Sequence, residues 1–318
     1  MAHDLPMTKL AYVFPGQGSQ EVGMLQDVAD AVAPIFSEAS DALGYDLWSL
    51  VSKGPEEQLN QTEFTQPALL TASVALYRLA LERGAPEPDI VAGHSLGEYS
   101  ALVAAGVLEF SDAVALVQKR GQFMQTAVPM GEGGMAAVLG LTDAQVKDVC
   151  AAASDVAAGE IVQAANFNAP GQVVIAGKNA ALERAIDGCK EEGARRAMAL
   201  AVSAPFHSEL MKPAAEEMQK ALAEVTFNKP LIQLMQNVDA AVHEDPEAIR
   251  ANLVSQMSGA VLWTATVENM KAMGVDTMVE CGPGKVLTGL AKRIDKSITG
   301  LNIDSGDSIS ALTGGLNE

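Results

Sequence analysis

This chain is short of histidine, cysteine, aromatic side chains and positive charge, and each shortage closes off a class of function. Its three cysteines, Cys150, Cys189 and Cys281, are odd in number, far apart and not in metal-ligand spacing. They read as reduced thiols of a cytoplasmic protein and speak against a disulfide framework. Twenty-one Lys and Arg against 40 Asp and Glu leave a formal net charge of −19. Such a surface repels a phosphate backbone, so nucleic acid is not expected as a partner. No apolar run approaches the length of a membrane span. Residues 1–6 lack a basic stretch followed by an apolar one, so a secretory signal is not expected either. What remains, at 318 residues and 48% hydrophobic composition, is an acidic chain able to bury one large core or two modest ones.

What is present centres on Gly93-His94-Ser95-Leu96-Gly97. A short apolar run, Ile90 and Val91, leads into Gly-x-Ser-x-Gly, and Glu98 to Ala105 then reads as a helix ending near Gly106. Strand, sharp turn, serine and helix N-terminus together form a nucleophile elbow, in which the hydroxyl stands clear of the turn with backbone amides beside it. The two glycines keep side chains out of the crowded turn.

Around this unit the chain alternates strand and helix. Lys9 to Phe14 is strand-like and opens into the glycine-bracketed loop Pro15 to Gln20, where sites of parallel sheets collect. Thr65 and Pro67 mark an N-cap and first turn, with the helix running to Gly84, and Ser111 caps another. From Met135 to Val202 the order is strand, helix, strand, strand, helix, strand, the ferredoxin-like split pattern, with a turn at Asn166 to Gly171. We therefore expect an α/β fold in which residues 131–203 form a compact insert, and residues 1–130 and 204–318 make the larger parallel-sheet domain. Helix and strand alternation resumes beyond the insert, and the Gly/Ser-rich tail after Thr299 is expected to be loose.

A serine hydroxyl needs a base, and histidine is the usual one at neutral pH. Of the four histidines, His3 lies in a terminal tail, His94 should point away from its neighbour Ser95, and His243 sits in an acidic polar stretch. His207, in Ser203-Ala204-Pro205-Phe206-His207-Ser208, remains as the base. No Asp or Glu stands out as a third triad member, and a carbonyl can orient the ring as well. Arg120 falls in the middle of an apolar stripe made by Leu116, Val117, Phe123 and Met124. A charge there is costly unless paired. It is either a structural ion pair, a snorkelling side chain, or a guanidinium awaiting a ligand carboxylate. Gln17, on its glycine loop, can offer a backbone N–H to an oxyanion, with the Leu96 N–H as second donor.

Six ordered blocks spread over nearly the whole chain resemble the malonyl-CoA:acyl-carrier-protein transacylase family of bacterial fatty acid synthesis. They are Phe14 to Gln20, Thr65 to Ala68, Gly93 to Ser100, Asn166 to Gly171, Ala204 to His207 and Glu280 to Lys285. The resemblance implies a hydrolase-like α/β domain carrying a ferredoxin-like βαββαβ subdomain. It implies that Ser95 takes a malonyl group from malonyl-CoA, with His207 as base and then acid, and passes it to acyl carrier protein. Arg120 would hold the malonyl carboxylate, Gln17 and Leu96 would form the oxyanion hole, and the main-chain carbonyl of Gln256 would orient His207. Phe206 and Asn166 would line the acyl pocket, Phe206 leaving no room for an α-methyl group. No metal or tightly held cofactor is expected. Lys190, Arg195, Arg196, Lys285, Lys292 and Arg293 are candidates for a basic patch that meets an acidic carrier. A thioesterase with the same elbow and a transacylase serving polyketide synthesis are the rival readings.

Overall fold

The computed structural model describes residues 9–315, and His3 lies outside them. Ten strands occur among the described residues, in two sheets. The larger contains β1 (Lys9–Phe14), β2 (Ile90–Gly93), β7 (Gln233–Gln236), β8 (Ala241–Val242), β9 (Val275–Cys281) and β10 (Thr299–Ile303). The smaller contains β3 (Gly133–Leu139), β4 (Val162–Ala169), β5 (Gln172–Lys178) and β6 (Arg196–Ala199).

The larger sheet runs β10-β9-β1-β2-β7-β8, parallel except for β8, which pairs antiparallel with β7. β1 is central, and its last four residues are fully buried. A strand covered on both faces reads as a continuous apolar run, and the two-residue side-chain period sends alternate residues to opposite layers. Tyr12 and Phe14 accordingly pack into the core beneath the helices Ala29–Leu43, Thr62–Glu82 and Phe110–Thr126. Ala11 and Val13 face Trp263, Val267 and Leu287 on the other side.

Between β2 and β7 the chain builds the smaller sheet, order β4-β5-β3-β6, antiparallel throughout. Helices Asp143–Ala153 and Asn179–Glu191 cover one face, burying Val146, Cys150, Leu182 and Cys189 against Val138 and Ile175. A reciprocal Thr142–Gln145 capping box fixes the start of the first of these helices. The element order is the strand-helix-strand-strand-helix-strand sequence expected, and the mixed α/β architecture with a parallel and a separate antiparallel sheet agrees with the expected fold class. β4 is tied to the rest of the protein where the Phe167 N–H donates to the Val261 carbonyl (3.0 Å) and the Val261 N–H to the Ala165 carbonyl (2.8 Å).

Several local expectations are corrected. The helix expected to begin at Thr65 begins at Thr62, and Pro67 lies inside it. The Thr65 hydroxyl caps nothing; it donates to the Leu59 and Gln61 carbonyls. Near-complete burial of this helix outweighs the one backbone bond that Pro67 cannot make. Ser111 sits within the first turn of a helix that begins at Phe110 and is preceded by Glu109. Residues 166–169 belong to β4, with irregular register on either side of Asn166, so the turn shrinks to Pro170-Gly171. The tail is not loose: β10 extends the sheet beyond β9, and the helix Gly306–Gly315 buries Ile309 and Leu312. Its few apolar residues fall on buried positions, which composition alone conceals.

Candidate active site

The elbow forms as the glycines require. A Cβ on Gly93 would stand 1.9 Å from the Gly97 carbonyl oxygen, and one on Gly97 would stand 2.0 Å from the Phe14 oxygen. Ser95 itself has φ 53°, a left-handed conformation that costs a non-glycine residue about 1–3 kcal/mol. The surroundings impose it. The Ser95 N–H donates to Asn237 Oδ1 at 2.8 Å, and the Ser95 carbonyl accepts from Gln256 Nε2 at 3.1 Å.

His207 also has a positive φ, 57°, and its ring meets the serine. The Ser95 Oγ to His207 Nε2 distance is 2.6 Å, and His207 Nδ1 lies 2.9 Å from the Gln256 carbonyl oxygen. A carbonyl only accepts, so Nδ1 carries the hydrogen and Nε2 is left to accept the serine proton. Burial, and after it the Arg120 charge, push His207 down to about 3, against the opposing pull of the Gln256 carbonyl. The imidazole is therefore neutral at neutral pH, the form a base needs. His94 lies beside the serine but gives its Nε2 to Asn168 Oδ1 (2.7 Å) and its ring to Trp263. His243 pairs with Asp239 at 2.6 Å, away from this cluster.

Arg120 has no exposed surface. Its Nη1 donates to Gln66 Oε1 (2.8 Å), and its Nη2 to Gln256 Oε1 (2.9 Å) and Ser95 Oγ (3.2 Å). The guanidinium carbon lies 5.4 Å from the centre of the Tyr99 ring. Among the described residues no carboxylate is within ion-pair distance of it. Neither a structural ion pair nor a snorkelling side chain describes these surroundings. Burial lowers the basicity of Arg120, while the neighbouring Tyr99 and Glu98 raise it.

The loop after β1 passes directly over the elbow. A Cβ on Gly16 would come within 2.6 Å of the His94 carbonyl oxygen, so only glycine allows the approach. The Gln17 side chain is anchored by the Thr62 hydroxyl, which donates to its Oε1 at 2.8 Å. Among the described residues the Gln17 and Leu96 backbone N–H groups have no hydrogen-bond acceptor. A cavity of about 260 Å³ is lined by Gln17, Ser95, His207, Asn166 and Phe206, with Leu200, Val202 and Val286 among its apolar walls. Phe206 and Asn166 are 7% and 6% exposed. Gln256, wholly buried, reaches this cluster from the helix Pro246–Ser258. Two wider clefts on either side of Phe167, about 520 and 690 Å³, contain no nucleophile and base in contact.

The cluster thus unites Ser95, His207, Arg120, Gln17, Gln256, Phe206 and Asn166, with Leu96 next in the chain to the serine. Three residues escaped the sequence reading. Gln66, Asn237 and Glu98 make the hydrogen bonds that hold the others, and each is a buried polar side chain. The one signal for Gln66 and Glu98 is that they fall inside two of the six blocks, Thr65 to Ala68 and Gly93 to Ser100. Asn237 immediately follows β7 at its C-terminal end, where parallel-sheet sites gather. Among the described residues no group of His, Cys, Asp and Glu is arranged to hold a metal ion, and no helix is long and apolar enough to cross a membrane.

Comparison with known proteins places this geometry in context. The family described as acyl transferase domain matches residues 11–306. The malonyl CoA-acyl carrier protein transacylase of Escherichia coli (strain K12) is 54% identical over 308 residues, 96% of this chain and 99% of that protein. The crystal structure of an acyl carrier protein S-malonyltransferase from Vibrio cholerae superposes with a TM-score of 0.93 at 54% identity, covering 96% of this chain and 100% of that one. A malonyl-transacylase solved in complex with its type II PKS acyl-carrier protein gives a TM-score of 0.94 at 50% identity, covering 97% and 100%.

Proposed function

The chain belongs to the acyl transferase domain family, and from that premise we propose that it transfers malonyl from malonyl-CoA to the phosphopantetheine thiol of an acyl carrier protein. One observation carries the reading. A single hydroxyl, Ser95 Oγ, lies within hydrogen-bond reach of both a neutral imidazole and a buried guanidinium that lacks a carboxylate partner.

The chemistry follows from those contacts. His207 Nε2 takes the Ser95 proton as Oγ attacks the thioester carbonyl, and the Gln256 carbonyl steadies the imidazolium through Nδ1–H. The developing oxyanion sits between the Gln17 and Leu96 N–H groups, two donors with no other acceptor. His207 then returns the proton to the departing coenzyme A sulfur, leaving a malonyl ester on Ser95. In the second half the carrier thiol gives its proton to His207, its sulfur attacks the ester, and Ser95 Oγ recovers the proton. Arg120 turns its Nη groups to the malonyl carboxylate, gaining the counter-charge its own site lacks. Phe206 closes the pocket beside the α-carbon, and the apolar walls keep out the water that would hydrolyse the ester. The acyl donor and the acylated carrier are both thioesters, and no step calls for a metal or a bound cofactor.

Residues 131–203 make up the inserted subdomain of this reading and supply part of the cavity wall, while 1–130 and 204–318 supply the reacting groups. In this reading an acidic carrier docks over the cavity, whose lining includes the exposed Leu200, Val202 and Val286, and the exposed side chains of Arg195, Arg196, Lys285, Lys292 and Arg293 are the candidates to meet its charge. The relative solved in complex with a type II PKS carrier favours a second reading, in which the acceptor belongs to polyketide rather than fatty acid synthesis. Intact-protein mass spectrometry after mixing with malonyl-CoA tests the proposal. One malonyl adduct is expected, absent in Ser95→Ala and cleared by added holo carrier. Steady release of free malonate without any carrier would instead identify a thioesterase.

A further inference from the structure

Beneath the Ser95 turn lies a carboxyl group that the mechanism above does not use. Glu98, in the first turn of the helix Gly97–Ala104, is 0% exposed. A buried carboxyl is tolerated only when its lone pairs are met by donors. Oε1 accepts the Asn237 backbone N–H at 2.6 Å, and Oε2 accepts Gln256 Nε2 at 2.9 Å. Burial pushes Glu98 up to about 8, and the Asn237 N–H and the Arg120 charge pull it back.

Both partners of Glu98 grip the reacting groups. Asn237 accepts the Ser95 N–H through Oδ1 and donates through Nδ2 to the Gly93 carbonyl at 2.6 Å, holding the turn from both sides. Gln256 orients His207 through its main chain and Arg120 through its side-chain oxygen. The two ends of an amide have nearly the same shape and opposite hydrogen-bonding character. Gln256 Oε1 can face Arg120 only while Nε2 faces acceptors, and the nearest of these is Glu98 Oε2 at 2.9 Å, ahead of Ser95 O and Asn237 Oδ1.

We infer that Glu98 is a positioning residue that fixes the sense of the Gln256 amide and, through it, aims the Arg120 guanidinium at an acyl group carried on Ser95. This rests on the proposed malonyl transfer. Glu98 touches neither the Ser95 hydroxyl nor His207, and it holds Gln256 by the side-chain amide rather than by the main-chain carbonyl that orients the imidazole, so its larger effect falls on recognition of the acyl carboxylate.

Glu98→Gln preserves shape and exchanges one acceptor for a donor. Its NH2 group must then face either Gln256 Nε2 or the Asn237 N–H, so one pair of donors is left opposed. Turning the Gln256 amide over relieves the first case and puts Nε2 against Arg120 Nη2. The expected result is a fall of about 10-fold or more in the malonyl-CoA to acetyl-CoA ratio of kcat/KM for Ser95 acylation, carried mainly by KM for malonyl-CoA. The rate at which a fluorophosphonate labels Ser95 should fall by a smaller factor than malonyl-CoA acylation, because the Gln256 main-chain carbonyl still faces His207 and Asn237 Oδ1 still accepts the Ser95 N–H. Glu98→Asp keeps two oxygens that can accept but withdraws them by one methylene, and should lower the same ratio by a smaller factor. If only the Asp variant is soluble, its ratio alone decides. An unchanged ratio overturns the inference, and so does an equal loss of malonyl, acetyl and fluorophosphonate reaction, which is what a purely structural core residue would give. Failure of the unsubstituted protein to accept malonyl at all would instead overturn the function on which the inference rests.

Discussion

The two sheets present very different walls to one cavity. From the parallel sheet and the helices around it come Ser95, His207, Arg120, Gln66, Gln256 and Asn237, almost all joined by hydrogen bonds between 2.6 and 3.3 Å. From the antiparallel sheet and the segment that leaves it come the apolar Met135, Val174, Leu200 and Val202, with Asn166 and Asn168 of β4 the polar exceptions, and none of the six has a hydrogen bond to Ser95, His207 or Arg120. One wall fixes charge and proton positions; the other sets shape and dryness. The division explains why a polar network this dense is affordable: nearly every buried donor and acceptor in it is met, so the low dielectric strengthens the contacts rather than penalising them.

Substitutions on the two walls should separate accordingly. Ser95→Ala should abolish the malonyl adduct, read by intact mass. His207→Ala should slow acylation by about 10²–10⁴-fold, the usual range for losing a positioned base, measured by rapid-quench formation of the adduct. Arg120→Ala should cost on the order of 2–5 kcal/mol in malonyl recognition while acetyl loading stays level or improves. Equal damage to both substrates would show that the guanidinium is structural. On the other wall, Val202→Ser should leave acylation within a few-fold and raise the rate of free malonate release by admitting water. If it instead stopped acylation, the division between the walls would be wrong. The smallest effect expected is on carrier docking. Reversing Arg195 and Arg196 to Glu should raise KM for the carrier and spare the coenzyme A half-reaction.

Acidity offers a different cut through the same comparison. The native imidazole of His207 stays unprotonated down to about 3, whereas in the unfolded chain it binds a proton below about 6.5. The unfolded state therefore holds more protons in that window, and stability is lost as pH falls through it. Acylation should show no acid limb near 6.5. In His207→Gln the acid slope of stability should be shallower by up to one proton, measurable by denaturant titration across pH.

Ser95, His207 and Arg120 were legible in the sequence because each breaks a local rule in a way that one chain can display. The elbow needs two glycines at fixed offsets, the base is one of four histidines, and a charge in an apolar stripe is conspicuous. Gln256 entered by resemblance alone, since the use of a main-chain carbonyl leaves no mark on residue type. Glu98, Asn237 and Gln66 were missed because their importance lies in contacts spanning 54 to 158 positions, which no local spacing encodes. The alternation of strands and helices was readable through the smaller sheet, where apolar runs are regular. It failed at residues 21–64, which carry the helices Ala29–Leu43 and Leu47–Lys53, and in the tail, where Gly and Ser mask a short edge strand and a helix anchored by Ile309 and Leu312.

The central strand takes one neighbour, β2, from the first third of the polypeptide and the other, β9, from near its end. A growing chain halted before Val275 would leave an open hydrogen-bonding edge beside the loop that carries Gln17. Even with Gln256 already synthesised, the serine would then be framed on one flank only. Competence during biosynthesis should consequently arrive late and abruptly, with the emergence of β9 from the ribosome rather than with that of Ser95, as expected for a topology of high contact order.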